Sequence, residues 1–122
     1  MRSRLLTLLG TGVLTLGGLL VPASTAAADP AHCYGWNTHP DLYSAGGIHF
    51  GNGTYIRRGP YTDCDGFGLG YPSHGIDVHC AVINSNNNIW YYVRDTTTGV
   101  SGWSRDDSLD FDGLQATRTC SS

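Results

Sequence analysis

Between residues 75 and 104 the chain alternates three short runs of β-branched and aromatic residues with two polar turns, and no other feature of the sequence constrains the fold as much. Gly75 to Ile83 is the clearest run. Ile76, Val78, Cys80 and Val82 fall on one face and Asp77, His79 and Ala81 on the other, with the period of two expected of a strand. Asn84-Ser85-Asn86-Asn87-Asn88 then turns the chain, because asparagine tolerates left-handed backbone angles and caps its own turn. Ile89 to Arg94 reads as a second strand, Asp95-Thr96-Thr97-Thr98-Gly99 as a second turn, and Val100 to Ser104 as a third strand centred on Gly102-Trp103. Gly53 to Arg57, carrying Tyr55 and Ile56, reads as a further strand. No long window keeps a helical period, and a chain with 17 Gly and neither Lys nor Glu is poor helix material. The expectation is one all-β domain, a small barrel or sandwich.

The start of the chain has a different character. Met1-Arg2-Ser3-Arg4 is basic, Leu5 to Val21 is apolar apart from Thr and Gly, and Ala26-Ala27-Ala28 offers small residues where a leader is cut. Residues 1–28 are therefore expected to be a secretory signal peptide, with Asp29 as the first exported residue and no membrane association after cleavage. Beyond residue 28 there are five Arg against ten Asp. An acidic chain without a basic cluster has no electrostatic route to phosphates, so a nucleic-acid partner is not expected. Residues 29–47, with Pro30, Pro40, Gly46 and Gly47 and no period, read as an extended N-terminal arm pinned by Cys33 and Trp36; residues 48–122 read as the domain proper.

Export also decides how Cys33, Cys64, Cys80 and Cys120 are read. An even number of cysteines with no C-x-x-C pair, in an oxidising compartment, points to two disulfides rather than a zinc ribbon. Three connectivities are open. A Cys64–Cys80 bond would close the shortest loop, and Cys33–Cys120 would then join the two ends of the domain.

Tyr55-Ile56-Arg57-Arg58-Gly59-Pro60, Trp90-Tyr91-Tyr92-Val93-Arg94, Gly99-Val100-Ser101-Gly102-Trp103 and Leu109 occur in an order that resembles the bacterial SH3-like (SH3b) domains. In that family an apolar residue and Arg precede a Gly-Pro turn, a W-x-x-V strand follows, and a G-x-x-G-W strand precedes a closing apolar residue. Ser104 departs from the pattern, since the position after the Gly-Trp pair is usually apolar. The resemblance implies an SH3-like barrel whose ends lie close together, of a secreted, stand-alone, disulfide-bearing type. On that basis Cys64 is expected to pair with Cys80 and Cys33 with Cys120.

Motifs that carry catalysis are scarce. His32, His39, His49, His74 and His79 match no metal-ligand spacing and are expected to be structural or exposed. Asp63-Cys64-Asp65-Gly66 lacks the later acidic ligand of a calcium loop. There is no G-x-S-x-G. Asp106, Asp107, Asp110 and Asp112 read as a solvated acidic stretch, and Asn52-Gly53 as a turn. The expectation is a non-enzyme without metal or cofactor, and a monomer.

The aromatic inventory is what remains. Trp90 and Tyr92 project to one face of their strand and Tyr91 and Val93 to the other, so one set is expected to face outward or into a groove. Rings with a polar tip suit peptides and sugars. By the resemblance, the groove lies between the loop after the first strand and the central hairpin, which points to Tyr61, Tyr71, Trp90 and Tyr92 as ligand-binding residues. The implied ligand class is cell-wall peptidoglycan or its peptides. The alternative is a soluble extracellular effector, for example an inhibitor of a secreted hydrolase that recognises a protein or peptide.

Overall fold

The computed structural model describes residues 28–36, 39–42, 47–112 and 118–120. The expected signal segment, except for Ala28, lies outside them. Among the described residues the regular structure is all-β: β1 (Ile48–Phe50), β2 (Thr54–Arg57), β3 (Gly66–Gly70), β4 (Ile76–Ile83), β5 (Ile89–Asp95), β6 (Ser101–Arg105) and β7 (Leu109–Phe111). Short 3-10 turns at Ala31–Cys33 and Asp106–Ser108 complete the order. β1 pairs with β7, and the other strands form an antiparallel sheet in the order β3-β2-β6-β5-β4. Pairing among these residues makes two sheets rather than one continuous ring.

The strands at β2, β4, β5 and β6 fall within a residue or two of their expected positions. β3 was not anticipated, because Gly66-Phe67-Gly68-Leu69-Gly70 has little strand propensity. Its glycines alternate, so they share one face, and that face is bare for a reason. A Cβ on Gly70 would run into the Phe50 ring, one on Gly68 would meet Val100 at 3.4 Å, and one on Gly66 would meet Tyr55 at 3.0 Å.

β4 departs from the expected alternation. Val78 pairs with Val93 and Cys80 with Tyr92, so His79 is an extra residue, a β-bulge. A bulge shifts the strand's phase and sends the residues after it to the opposite face. Ile76, Val78 and Ala81 consequently pack in one apolar cluster, with Ile48, Phe50, Ile56, Tyr91, Val93 and Leu109. Cys80 and Val82 pack in the other, with Trp90, Tyr92, Trp103, Trp36, Leu42 and Cys120.

Both faces of β5 are therefore covered, and the expectation that one aromatic set faces outward is corrected. Trp90, Tyr91, Tyr92 and Val93 are all buried. The N-terminal segment accounts for this on the tryptophan side. Trp36 meets Trp103 edge-on at 5.4 Å between ring centroids, and Tyr92 and His39 meet the same ring at 5.3 and 5.4 Å. Gly102 lets β6 press against β2, since a Cβ there would stand 2.5 Å from the Arg57 carbonyl oxygen. The polar Ser104 is buried because its hydroxyl donates to the Tyr55 carbonyl at 2.8 Å.

The disulfides are Cys33–Cys64 and Cys80–Cys120, with Cα separations of 5.5 and 4.9 Å. The expected Cys64–Cys80 and Cys33–Cys120 pairs are thus corrected. Cys64 lies in the loop after β2, and β6 and β5 stand between β2 and β4. The N-terminal 3-10 turn instead brings Cys33 within bonding distance of Cys64, and the C-terminal segment, hydrogen-bonded to Ala81, brings Cys120 to Cys80. Cys33–Cys64 fastens the N-terminal 3-10 turn to the 58–65 loop, and Cys80–Cys120 fastens the C-terminal segment to β4.

Candidate binding site

The loop after β2 is built to stand still. Gly59 admits the N-terminal backbone, since a Cβ there would lie 3.0 Å from the Cys33 Cα. Pro60 is fully buried, and its carbonyl accepts a 2.7 Å hydrogen bond from the Asn84 side chain. Asn84 in turn shapes the 84–88 turn, where its Oδ1 accepts the backbone N–H groups of Asn86 and Asn88 at 3.0 Å each and Asn87 takes a positive φ of 65°. One buried asparagine thereby fixes the loop and the turn relative to each other.

Between the two lies a depression of about 230 Å³ lined by His32, Tyr61, Thr62, Asp63, Ser85 and Asn86. The Tyr61 hydroxyl is 3.0 Å from Ser85 Oγ, and its ring packs on the His32 imidazole at 4.3 Å between centroids. His32 Nε2 is 2.7 Å from Asp63 Oδ1. Thr62 also lines a second depression of about 260 Å³, whose walls include Tyr55, Arg57, Trp90, Arg105 and Asp107. The two hollows thus flank a single residue.

The second hollow gathers cations in an acidic chain. Arg57 lies over the Tyr55 ring, 4.4 Å from its centroid, and donates to the Cys64 carbonyl at 2.8 Å. Arg105, the cross-strand partner of Trp90, donates to Asn88 Oδ1 at 3.2 Å. Its Nε stands 3.4 Å from Asp107 Oδ2, a charge contact that lacks the geometry of a hydrogen bond. Trp90 Nε1 is likewise buried, with no acceptor among the described residues. Buried donors of this kind are costly until an acceptor reaches them.

No family model, curated protein or solved structure matches this chain.

Of the four residues expected to bind ligand, Tyr61 is in the first hollow and Trp90 forms part of the wall of the second, although its ring is almost wholly buried. Tyr71 is half exposed and packs against His74 at 5.5 Å, outside the residues that line either hollow. Tyr92 is in the tryptophan cluster, where its ring presents no face to a ligand. Sequence reasoning missed His32, Arg57, Arg105, Ser85 and Asn86. The Asn-rich turn and the position of Arg57 just before the Gly-Pro turn were visible signals, but the register that sets Arg105 beside Trp90 was not.

Two other features lie apart from this site. Another hollow, about 310 Å³, sits at the end of β4 and β5, where Ala81, Val82, Ile83 and Ile89 make an apolar strip beside Arg118 and Thr119. At the opposite end of β5, Asp95 is fully buried. It accepts His74 Nδ1 at 2.6 Å and the Thr97 and Thr98 backbone N–H groups at 2.9 and 3.1 Å. Burial pushes its carboxyl up, but these hydrogen bonds and the nearby His74 charge outweigh burial and hold it below the usual aspartate value.

Proposed function

We propose that the chain is a secreted, non-catalytic binding module of the SH3-like kind, and that its ligand is the peptide portion of cell-wall peptidoglycan. Two disulfides agree with residence in an oxidising compartment. The barrel reading draws support from the pairing of the first strand with the last, which brings the domain's ends together, and from the order of the Gly-Pro, Trp-x-x-Val and Gly-x-x-Gly-Trp landmarks along β2, β5 and β6. The observation that carries the functional reading is the pair of hollows that flank Thr62, one between the 58–65 loop and the 84–88 turn and the other beside Arg57 and Arg105. That is where the resemblance locates a groove. A peptide lying along it would meet the Tyr61 ring at one end and guanidinium groups suited to a carboxylate at the other.

Co-sedimentation with purified sacculi at low and high ionic strength tests this reading. Wild-type protein should bind at both, because an acidic module owes its retention to a pocket rather than to net charge. Tyr61→Ala and Arg105→Ala should each abolish retention while the fold survives. If wild-type protein does not bind at either salt, the wall ligand is excluded and a soluble effector of an extracellular protein becomes the better account.

A further inference from the structure

We propose that Asp41, Asp77 and His79 form a binding site for one zinc-type divalent cation, at the point where the N-terminal segment meets β4. One imidazole and two carboxylates offer ligand atoms that lie within 4.8 Å of one another. The backbone sets this up. His79 is the extra residue of the β4 bulge, and bulges re-aim side chains. Its carbonyl accepts the Leu42 N–H at 2.9 Å, which holds Asp41, one residue earlier, beside it.

The hydrogen bonding of His79 gives the site its chemistry. Nδ1 is 2.8 Å from the His39 carbonyl oxygen, which can only accept, so Nδ1 carries the proton. In the neutral ring, Nε2 then presents a lone pair 3.2 Å from Asp77 Oδ2, which is also an acceptor. A cation between two acceptors resolves that opposition. With metal–nitrogen and metal–oxygen bonds of about 2.1 Å, a 3.2 Å gap corresponds to an angle of about 100° at the metal, close to tetrahedral. Metal-binding histidines characteristically rest their second N–H on a carbonyl, as His79 does. The ring is also held in place: it packs against Tyr92 at 5.5 Å between centroids, and its side chain is only 13% exposed.

Other clusters on the described surface lack this combination. The groups around His32 and His39 draw on cysteines already joined in disulfides, which supply no thiolate. His49 and Asp112 form a pair at 2.8 Å that belongs to no three-ligand group. A donor set of one nitrogen and two carboxylates suits zinc better than calcium or magnesium, which prefer oxygen alone. Three protein ligands leave a fourth position for water. Bound there, the ion would link the N-terminal segment to the edge strand of the five-stranded sheet.

The test is calorimetric titration of the full, chelator-stripped chain, free of any histidine tag, with zinc sulfate, alongside thermal melts. One equivalent should bind saturably and raise the melting temperature. Asp41→Asn alters an exposed residue outside the strands; it should weaken binding by about tenfold or more, as should Asp77→Asn and His79→Gln. His49→Gln should bind like wild type. Absence of saturable binding would overturn the proposal and leave His79 and Asp77 as an ordinary side-chain contact. Unchanged affinity in Asp41→Asn and Asp77→Asn, with circular dichroism confirming both folds, would overturn it equally.

Discussion

On one face of the five-stranded sheet, Tyr91 and Val93 meet Ile48, Phe50 and Leu109, which belong to the second sheet. On the other face, Trp90, Tyr92 and Trp103 meet Trp36, Leu42 and Cys120, which belong to no strand at all. A covering strand satisfies its own backbone groups through pairing. A covering segment without regular structure needs anchors one at a time. Here they include the Leu42 N–H to the His79 carbonyl, His79 Nδ1 to the His39 carbonyl, the Arg58 guanidinium to Asp29, the Ala81 N–H to the Arg118 carbonyl, the Cys120 N–H to the Ala81 carbonyl, and the two disulfides. The difference teaches that both disulfides in this small domain fasten segments that no strand pairing holds.

The largest effect should come from the tryptophan side. Trp103→Ala removes a fully buried ring touched by Trp36, His39 and Tyr92, and truncations of this size cost about 3–5 kcal/mol. Thermal melts should show the domain unfolded or barely folded. Replacing Cys80 and Cys120 together by Ala should cost somewhat less, about 2–4 kcal/mol for a closed loop of 40 residues. Its denaturation midpoint should fall while the far-ultraviolet strand signal at rest stays near wild type. If that signal is lost as well, the strand-built face depends on the clipped one, and the distinction between them fails.

A smaller effect is expected at Asp95, which ties the turn after β5 to His74. Because its folded carboxyl titrates below the usual value, it contributes stability that is fully present above the unfolded aspartate value of about 3.9 and is lost as pH falls through the folded value. Asp95→Asn should therefore destabilise by about 1–3 kcal/mol at neutral pH and flatten the acid limb of the stability profile. A variant that loses as much stability at low pH as at neutral pH would contradict this. The smallest effect belongs to Tyr61→Ala. Among the described residues its side chain has the Ser85 contacts and the His32 ring to lose, so it should shift stability by about 0.5–1 kcal/mol while abolishing wall binding.

The same contrast explains what was legible in the sequence. β4, β5 and β6 could be read because each is long enough to show its residue type and is bounded by turn residues. β1 and β7, with three residues each, carry no period, and β3 hides behind a glycine row that makes sense only once Phe50, Val100 and Tyr55 are seen lying on it. The bulge at His79 changed which residues of β4 share a face, and no local signal announced it. The cysteine pairing required the placement of the N-terminal turn and the C-terminal segment, because loop length alone favours a different bond. At the candidate site, Tyr61 was legible from its place after the Gly-Pro turn. Arg105 required the register between β5 and β6, and Tyr92 was misplaced because nothing in the sequence says which of two aromatic faces an unpatterned segment will cover.

All three tryptophans of the chain, Trp36, Trp90 and Trp103, lie in the clipped cluster and none in the strand-built one. Stepwise reduction of the disulfides, followed simultaneously by tryptophan emission and far-ultraviolet circular dichroism, therefore tests the two-core account most directly. The account predicts that emission moves to longer wavelength as the covering segments loosen, while the strand signal persists to higher reductant. Loss of both signals together, or an unshifted emission after complete reduction, would contradict it.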